Sequence, residues 1–272
     1  MSATFEQRFG GTRRLYGEQG VDALQQAHVC VVGIGGVGSW VVEALARSAV
    51  GEITLIDLDD LCVTNTNRQI HALNDTIGQS KVTVMAERVR AINPDCRCHP
   101  IEELVTEENA WQLFDQPFDY VIDAIDDVRA KAAMIASCRR RKLPIITIGG
   151  AGGQVDPTQI QVADLSRTLH DPLAAKLRSH LRRFYHFSSN PKRRFDVPCV
   201  FSTEQLRYPQ VDGSVCAKKP VMTSGQGVRL DCEGGFGAST VVTATFGFVA
   251  VARVIDKLIE RAARNTQGSK MG

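Results

Sequence analysis

The ten residues V-V-G-I-G-G-V-G-S-W, at positions 31–40, constrain the fold more than any other stretch of the chain. A run of β-branched residues breaks into glycine, and a helix-like segment follows. Gly33, Gly35 and Gly38 satisfy the pattern G-x-G-x-x-G. In that pattern, glycine permits a tight turn and lets backbone amides reach a polyphosphate at the helix N-terminus. The stretch therefore predicts a nucleotide-binding turn between a strand and a helix.

Short apolar runs and helix-like segments alternate through the first half of the chain. The predicted strands are 28–33, 52–57, 96–101, 120–125 and 144–150, and the predicted helices include 80–92, 107–113 and 129–141. This alternation predicts an α/β fold with a doubly wound, mainly parallel, Rossmann-like sheet. We expect 1–150 to bind the nucleotide. We expect 151–272 to be a loop-rich extension packed on the same sheet, with a mobile basic loop near 178–197.

Composition narrows the possible environments and partners. The formal charge of +2 means that a nucleic-acid partner has to be recognised by a local basic patch. The polar N-terminus has no apolar signal segment, which favours the cytoplasm. The eight cysteines form no C-x-x-C pair, as expected for mostly buried, reduced thiols. The uncharged stretch 236–252 contains glycine, serine and threonine, so we expect a buried helix or dimer contact rather than a membrane span.

Polar and cationic residues follow the second predicted strand. Asp57 ends that strand, where its carboxylate can accept hydrogen bonds from ribose hydroxyls, as in dinucleotide dehydrogenases. The segments N-T-N-R-Q and G-Q-S-K then supply Asn65, Arg68 and Lys81. Positive charge here favours a nucleoside triphosphate that releases pyrophosphate, because the cations balance the phosphate charges. A nicotinamide ring would instead require an apolar pocket. These segments favour ATP.

A second carboxylate cluster, D-A-I-D-D at 123–127, ends the strand at 120–125. Because strand carboxyl ends share one rim of such a sheet, Asp123 or Asp126 can face the phosphates and hold Mg²⁺ with their oxygens. We select Asp126 as the magnesium ligand. For Asp127 we expect an N-cap of the following helix.

These motifs, taken in order, resemble the adenylation domain of the E1-like (ThiF) superfamily, which includes ubiquitin-activating enzymes and molybdopterin- or thiamine-synthesis adenylyltransferases. The resemblance spans about residues 8–150. It implies that Asp57 binds the ribose and that Arg68, Lys81 and Asp126 are catalytic, with Asp126 on magnesium. The ATP-phosphate contacts that it implies come from Gly35, Gly36, Gly38, Asn65, Arg68 and Lys81, and we expect Gly33 and Gln69 to belong to the same ATP-binding site.

Two departures from that superfamily have consequences. Its members usually carry two C-x-x-C pairs for zinc, which this chain lacks, so we expect no zinc. Its members also carry an N-terminal arginine that reaches the ATP of the neighbouring subunit in a homodimer. Here the segment reads R-F-G-G-T-R-R, and either Arg13 or Arg14 can take that part.

Further motifs along nearly the whole chain are similar to those of one family within the superfamily, the bacterial tRNA threonylcarbamoyladenosine dehydratases. They are R-F-G-G-T-x-R-L-Y-G, T-N-T-N-R-Q-I-H-A-L, D-P-L-A-A-K-L-R, C-V-F-S-T-E and G-F-G-A-x-T-x-V-T-A-T-F-G-F-V-A-V. The resemblance implies ATP-dependent dehydration of N6-threonylcarbamoyladenosine at position 37 of tRNA, a ligase-like reaction. Its carboxylate is adenylated, and a carbamoyl nitrogen then closes a hydantoin ring and releases AMP.

A tRNA substrate needs a cationic surface, and the stretch 176–195 offers one. It contains seven Lys or Arg, no acid and four interleaved aromatics. Phosphate contacts with some base stacking are therefore expected. The predicted tRNA-binding residues are Arg182, Arg183, Lys192, Arg193 and Arg194.

Other functions stay open from the residues alone. Cys232, in D-C-E-G-G-F-G, is a possible reactive thiol, which would make the chain a sulfur acceptor for a cysteine desulfurase system. A related alternative is an adenylyltransferase for a small sulfur-carrier protein. An NAD-dependent oxidoreductase leaves N-T-N-R-Q and G-Q-S-K without a purpose, and a catalytically dead binding module leaves the phosphate-binding set unexplained.

Overall fold

The computed structural model describes residues 4–210, 212–217 and 236–269 of the chain. The helices are α1 Phe5–Gln26, α2 Gly38–Arg47, α3 Lys81–Ile92, α4 Ala110–Leu113, α5 Val128–Arg140, α6 Pro172–Phe184 and α7 Thr240–Ser269. The strands are β1 His28–Val32, β2 Glu52–Ile56, β3 Arg97–Ile101, β4 Tyr120–Asp123, β5 Ile145–Ile148, β6 Ile160–Asp164, β7 Pro198–Ser202, β8 Tyr208–Pro209 and β9 Val215–Cys216.

Seven of the described strands form one sheet in the order β3-β2-β1-β4-β5-β7-β6. All neighbours are parallel except β6, which runs antiparallel to β7. The prediction of an α/β fold with a mainly parallel, Rossmann-like sheet is confirmed. The strand order reverses direction at β1, so the crevice beyond the carboxyl ends of β1 and β4 is the expected place for a ligand.

Alternate residues of the central strands face two separate apolar cores, because successive side chains of a strand point to opposite faces. Val29 and Val31 belong to the core beneath α1, α2, α3 and α7. Cys30 and Val32 belong to the core beneath α4, α5 and α6. The sheet is therefore covered on both faces, as a parallel sheet requires.

The long helix α7 contains the uncharged stretch that follows residue 239. Val242, Phe246 and Val254 are buried in the core that α7 shares with α1 and α2. A methyl group at Gly247 would lie 3.0 Å from the carbonyl oxygen of Val37, so the small residue allows α7 to approach the start of α2 closely. This confirms a helix buried against the body of the protein. None of the described helices has the length and apolar character needed to cross a membrane.

The boundaries of two segments differ from the sequence expectations. The helix expected over 107–113 is confined to Ala110–Leu113. The prediction of a mobile basic loop from residue 178 onward is wrong for 178–184. These residues belong to α6, because Leu177 and Leu181 pack into the core. Residues 185–197 contain no helix or strand, and their end is anchored where Phe195 N donates to Asp164 Oδ1 at 2.9 Å.

Candidate ATP-binding site and nucleic-acid surface

The glycine turn connects β1 to α2 at the reversal point of the sheet. Gly33 has a φ of +85°, and a methyl group there would lie 2.9 Å from the carbonyl oxygen of Ala124. At Gly38 a methyl group would lie 1.7 Å from the carbonyl oxygen of Gly33. Side chains are excluded at both positions, since the turn is closed on itself and pressed against the chain that leaves β4.

Gly35 and Gly36 form the accessible part of this turn. Both are half-buried, and no described residue accepts a hydrogen bond from their N–H groups. They precede the first turn of α2, where backbone N–H groups and the helix dipole favour an anion. The turn therefore offers donors for phosphate oxygens.

Asp57 lies at the carboxyl end of β2 and faces the glycine turn. Its Oδ2 accepts a hydrogen bond from Ile34 N at 2.6 Å, and its Oδ1 accepts one from Asp59 N at 2.9 Å. A carboxylate oxygen has two lone pairs, so each oxygen can still accept a hydroxyl proton. The position fits the expected contact with a ribose.

Arg68 lies across the glycine turn. Its Cδ and Cγ would be 3.2 Å from a methyl group at Gly36, and its backbone carbonyl accepts a hydrogen bond from Trp40 Nε1 at 3.0 Å. The guanidinium Nη1 donates to Thr64 O and to Asn67 Oδ1, both at 2.8 Å. The structure thus brings one cation directly over the accessible glycines.

The neighbours of Arg68 contribute in different ways. Gln69 is buried, with its Nε2 3.9 Å from a methyl group at Gly35, and its Oε1 has no partner among the described residues. Asn65 is also buried, but its Oδ1 accepts a hydrogen bond from Cys62 N at 3.0 Å within its own turn. Gln69 therefore faces the glycine turn, while Asn65 shapes the segment that carries Arg68.

Lys81 begins α3, and its side chain is only 8% exposed. Its Nζ lies 2.7 Å from Asp59 Oδ2, and Asp59 N in turn donates to Asp57. Sequence reasoning missed Asp59 as the partner of this lysine. The signal was available, because D-L-D places a second acid two residues after the ribose-facing one.

His71 lies beneath this cationic segment and is 1% exposed. Neither ring nitrogen has a hydrogen-bond partner among the described residues. Burial, with smaller contributions from the positive charges of Lys81 and Arg88, lowers the pKa of His71 from 6.5 to about 3. The imidazole is therefore neutral at physiological pH.

The three acids that follow β4 have separate roles. Asp127 caps α5, accepting a hydrogen bond from Ala130 N at 2.8 Å, as expected. Asp123 is fully buried, and its oxygens contact Lys131 Nζ at 2.9 Å and Thr147 Oγ1 at 2.6 Å. Asp126 is exposed and has no hydrogen bond or ion pair to a described residue. Of these three acids, Asp126 is the one whose carboxylate has no partner among the described residues.

Lys131 was missed by sequence reasoning. Its ammonium group, buried inside the core face of α5, donates to Ile125 O at 2.9 Å as well as to Asp123. These contacts fix the loop that carries Asp126, and the same loop touches Gly33. In the sequence this lysine looks like an ordinary solvated position of a helix.

The N-terminal arginines lie on α1. Arg13 forms ion pairs with Glu6, at 2.9 Å, and with Glu18. Arg14 is exposed and has no ion pair with a described residue. Of the two, Arg14 is the one whose guanidinium is available to another molecule.

The five predicted tRNA-binding residues lie on and after α6, but they are not equally available. Arg182 Nε donates to Ser188 O at 3.4 Å, and its guanidinium lies 5.4 Å from the Phe195 ring. Arg194 Nε lies 3.8 Å from Asp164 Oδ2. The side chains of Arg183, Lys192 and Arg193 are exposed, without ion pairs to described residues.

One further group of described residues could hold a metal ion, at the amino end of the sheet. Ligand atoms of His28, Glu52 and His99 lie within 4.8 Å of one another. Glu52 is already paired with Arg97 and accepts a hydrogen bond from His99 Nε2 at 2.9 Å. We therefore interpret this cluster as an ion-pair network that joins the neighbouring strands β1, β2 and β3.

The buried cysteines of the described residues take no part in the chemistry of the site. Cys232 lies outside the described residues. Five described cysteines, Cys30, Cys96, Cys98, Cys138 and Cys199, are buried. Burial raises the pKa of the Cys98 thiol to about 11 and raises those of the other four, so these thiols stay protonated and unreactive.

Comparison with known proteins gives matches along almost the whole chain. Residues 11–269 match the model of the ThiF family. The chain is 59% identical to the tRNA threonylcarbamoyladenosine dehydratase of Escherichia coli (strain K12), covering 97% of this chain and 98% of that protein. It is 56% identical to the protein of that name from Haemophilus influenzae, covering 94% and 95%. A crystal structure of the E. coli dehydratase in complex with ATP has a TM-score of 0.85 at 55% identity, covering 97% of this chain and 98% of that one.

Proposed function

The chain belongs to the ThiF family, and we propose that it catalyses the ATP-dependent dehydration of N6-threonylcarbamoyladenosine in tRNA. Near-full-length similarity to proteins named for this reaction carries the proposal. The site gives it a physical basis, because Arg68 lies over the accessible glycines and Asp126 directly follows Ala124 and Ile125, which contact the turn at Gly33. We place the reaction in the cytoplasm, where tRNA is found.

ATP occupies the crevice beyond β1 and β4. Its phosphates lie on the N–H groups of Gly35 and Gly36 and are held by Arg68, while its ribose lies against Asp57. The amide of Gln69 faces the same accessible turn. The Lys81 ammonium group exchanges its contact with Asp59 for an oxygen of the β- or γ-phosphate, the part of ATP that leaves as pyrophosphate. The similarity to a structure with bound ATP supports this placement.

The residues present fit a magnesium ion. Mg²⁺ is usually held by one or two carboxylates together with phosphate oxygens and water. Asp126 supplies an unpaired carboxylate on the loop that contacts Gly33. When bound there, Mg²⁺ would neutralise charge on the phosphates and make the pyrophosphate a better leaving group.

The reaction needs no nucleophile from the protein. A carboxylate oxygen of the threonyl group attacks the α-phosphorus of ATP, and the bond to pyrophosphate breaks. A carbamoyl nitrogen then attacks the activated carbonyl, loses its proton and expels AMP, which closes the ring with a net loss of water. Because the nucleophile and the electrophile belong to one substrate, orientation supplies much of the rate enhancement. Arg68 and Lys81 offset the charge on the phosphates.

The enzyme acts as a homodimer in this proposal. Arg14 is exposed on α1 without an ion-pair partner among the described residues, and it extends to the ATP site of the second subunit. The tRNA lies over α6 and the segment that follows it. The exposed side chains of Arg183, Lys192 and Arg193 supply phosphate contacts, so reversing the charge of Arg193 should weaken tRNA binding in a salt-sensitive way and leave ATP binding intact.

An isotope experiment tests the chemistry. The threonyl carboxylate of the modified tRNA is labelled with a heavy oxygen isotope, and the released AMP is analysed by mass spectrometry. Adenylation of that carboxylate transfers one labelled oxygen into the phosphate of AMP. Unlabelled AMP would contradict carboxylate activation. AMP formation that depends on a Gly-Gly-tailed carrier protein instead of tRNA would favour the carrier-protein alternative.

A further inference from the structure

A groove of about 330 Å³ lies between the start of α5 and the second half of α6. This volume is at the small end of the range of about 300–1,000 Å³ for small-molecule sites, so it suits one nucleotide rather than a duplex. The groove is lined by Val128, Arg129, Lys176, Ser179, His180, Arg183 and Phe184.

The groove adjoins the proposed ATP site. Arg129 is three residues after Asp126, so the Cα atoms of these residues are at most about 11 Å apart. Between them, Asp127 caps α5 and turns the chain into the groove wall. A substrate nucleotide whose reactive group sits near Asp126 therefore has its neighbour within reach of the groove.

The charged groups of the groove are mainly cationic. Arg129, Lys176 and Arg183 are exposed and have no ion pair with a described residue. Of the nearby acids, Glu107 accepts a hydrogen bond from Tyr185 Oη at 3.1 Å, Asp127 caps α5, and Asp126 is the proposed magnesium ligand. Three unpaired cations around one small groove favour a ligand with phosphate groups.

An aromatic ring completes the groove. Phe184 is 53% exposed, although its ring packs 4.5 Å from the His180 ring and 5.0 Å from the Arg183 guanidinium, measured to the Phe184 centroid. An exposed aromatic beside cations is the arrangement by which proteins hold unpaired nucleotides, with the base stacked and the phosphates paired.

We propose that this groove binds an unpaired nucleotide next to the modified adenosine of the tRNA, with its base on Phe184 and its phosphates near Arg129, Lys176 and Arg183. The inference rests on the proposed function and adds a specific subsite to it. It assigns Arg129 and Lys176, on two different helices, to a task separate from the basic segment after α6. The subsite would position the anticodon loop so that the threonyl carboxylate meets ATP.

Binding of fluorescently labelled tRNA carrying threonylcarbamoyladenosine tests the inference. The affinity of the full chain is compared with that of Lys176→Gln, Arg129→Gln and Phe184→Ala at two salt concentrations. Phe184→Ala should weaken binding by about five- to 150-fold, as expected for one stacked base. Lys176→Gln and Arg129→Gln should each lower the slope of log affinity against log salt by about one. ATP affinity, measured by calorimetry, should stay unchanged.

Arg90→Gln is the matched control. It removes an exposed arginine from α3, on the opposite face of the sheet, and should leave tRNA binding unchanged. If the wild type binds tRNA and the three groove variants bind it equally well with equal salt slopes, the groove inference is wrong and the proposed function stands. If the wild type does not bind this tRNA, the proposed function and the groove inference are both wrong.

Discussion

The Nζ atom of Lys131 lies 2.9 Å from Oδ1 of Asp123, and both side chains are almost fully shielded from solvent. This ion pair joins the end of β4 to α5 beneath the loop that carries Asp126. Lys131 also holds Ile125 O, and Asp123 also holds Thr147 Oγ1. The pair therefore anchors the loop to the core and so helps to fix the position of Asp126, the proposed magnesium ligand.

Removing one partner of this pair should destabilise the protein severely. Lys131→Met leaves Asp123 buried without its counter-charge, which typically costs about 3–5 kcal/mol of unfolding free energy. The double variant Lys131→Met with Asp123→Leu removes both charges and should regain a large part of that loss. Urea unfolding measures both. A double variant that loses as much as the sum of the single variants would contradict the proposed coupling.

Substitution at Gly38 should be far more damaging than at another helical glycine. A methyl group at Gly38 overlaps a backbone carbonyl at 1.7 Å, so Gly38→Ala should cost at least about 3 kcal/mol and abolish ATP binding. Gly11→Ala is the control, since the added methyl group contacts only the tip of the Arg14 side chain, 4.0 Å away. Alanine is also more stable than glycine in a helix by about 0.5–1 kcal/mol. Thermal unfolding with and without ATP compares the two. A stable, ATP-binding Gly38→Ala would overturn the description of the turn.

The adjacent acids Asp126 and Asp127 should separate chemistry from stability. Asp126→Asn leaves every described contact intact, so stability should change by less than about 0.5 kcal/mol. The Mg²⁺ concentration for half-maximal AMP formation should rise at least about tenfold. Asp127→Ala removes a helix cap and should cost about 0.5–2 kcal/mol, with little change in the Mg²⁺ requirement. The reverse pattern would assign the metal to Asp127.

Acid destabilisation should depend on His71. Unfolded His71 takes up a proton below its ordinary pKa of 6.5, whereas the buried ring resists protonation until about pH 3. Stability should therefore fall as the pH drops from 6.5 towards 3, by up to about 1.4 kcal/mol per pH unit from this residue. In His71→Leu that contribution disappears, so its unfolding free energy should depend less on pH between 4.5 and 6.5. If the unfolding free energies of the two proteins depend on pH in the same way, His71 is not a buried, neutral side chain in the folded protein.

Local periodicity was sufficient for most of the first half of the fold, although α1 was missed. The apolar, β-branched runs became β1, β2, β4 and β5 because each is short and followed by a turn residue or a helix, whereas β3 is a mostly exposed edge strand. In the second half, α6 and β6 were among the elements missed. The start of α6 carried a local signal, since Asp171 caps the helix and Pro172 occupies its first turn. The place of β7 between β5 and β6 carried none, because it depends on pairing between distant segments.

Parts of the candidate site could be predicted wherever the residue type and its place at the end of a strand were enough to indicate its position. Asp57 was placed correctly at the glycine turn for this reason, and Asp127 was correctly taken as a cap. The partners of the site residues were harder to predict from the sequence. Lys81 pairs with Asp59, and Lys131 is buried on Asp123, through contacts that exist only once the elements pack. Arg129 joins Lys176 in the groove for the same reason.

Mass analysis of the tRNA nucleosides is the sharpest test of the proposed dehydration. Purified enzyme is incubated with ATP, Mg²⁺ and tRNA that carries threonylcarbamoyladenosine, and the tRNA is then digested to nucleosides. We expect this nucleoside to lose one water and AMP and pyrophosphate to form in equal amounts, with both changes lost in Arg68→Ala. Intact threonylcarbamoyladenosine after complete ATP turnover, or loss of water without AMP, would contradict it.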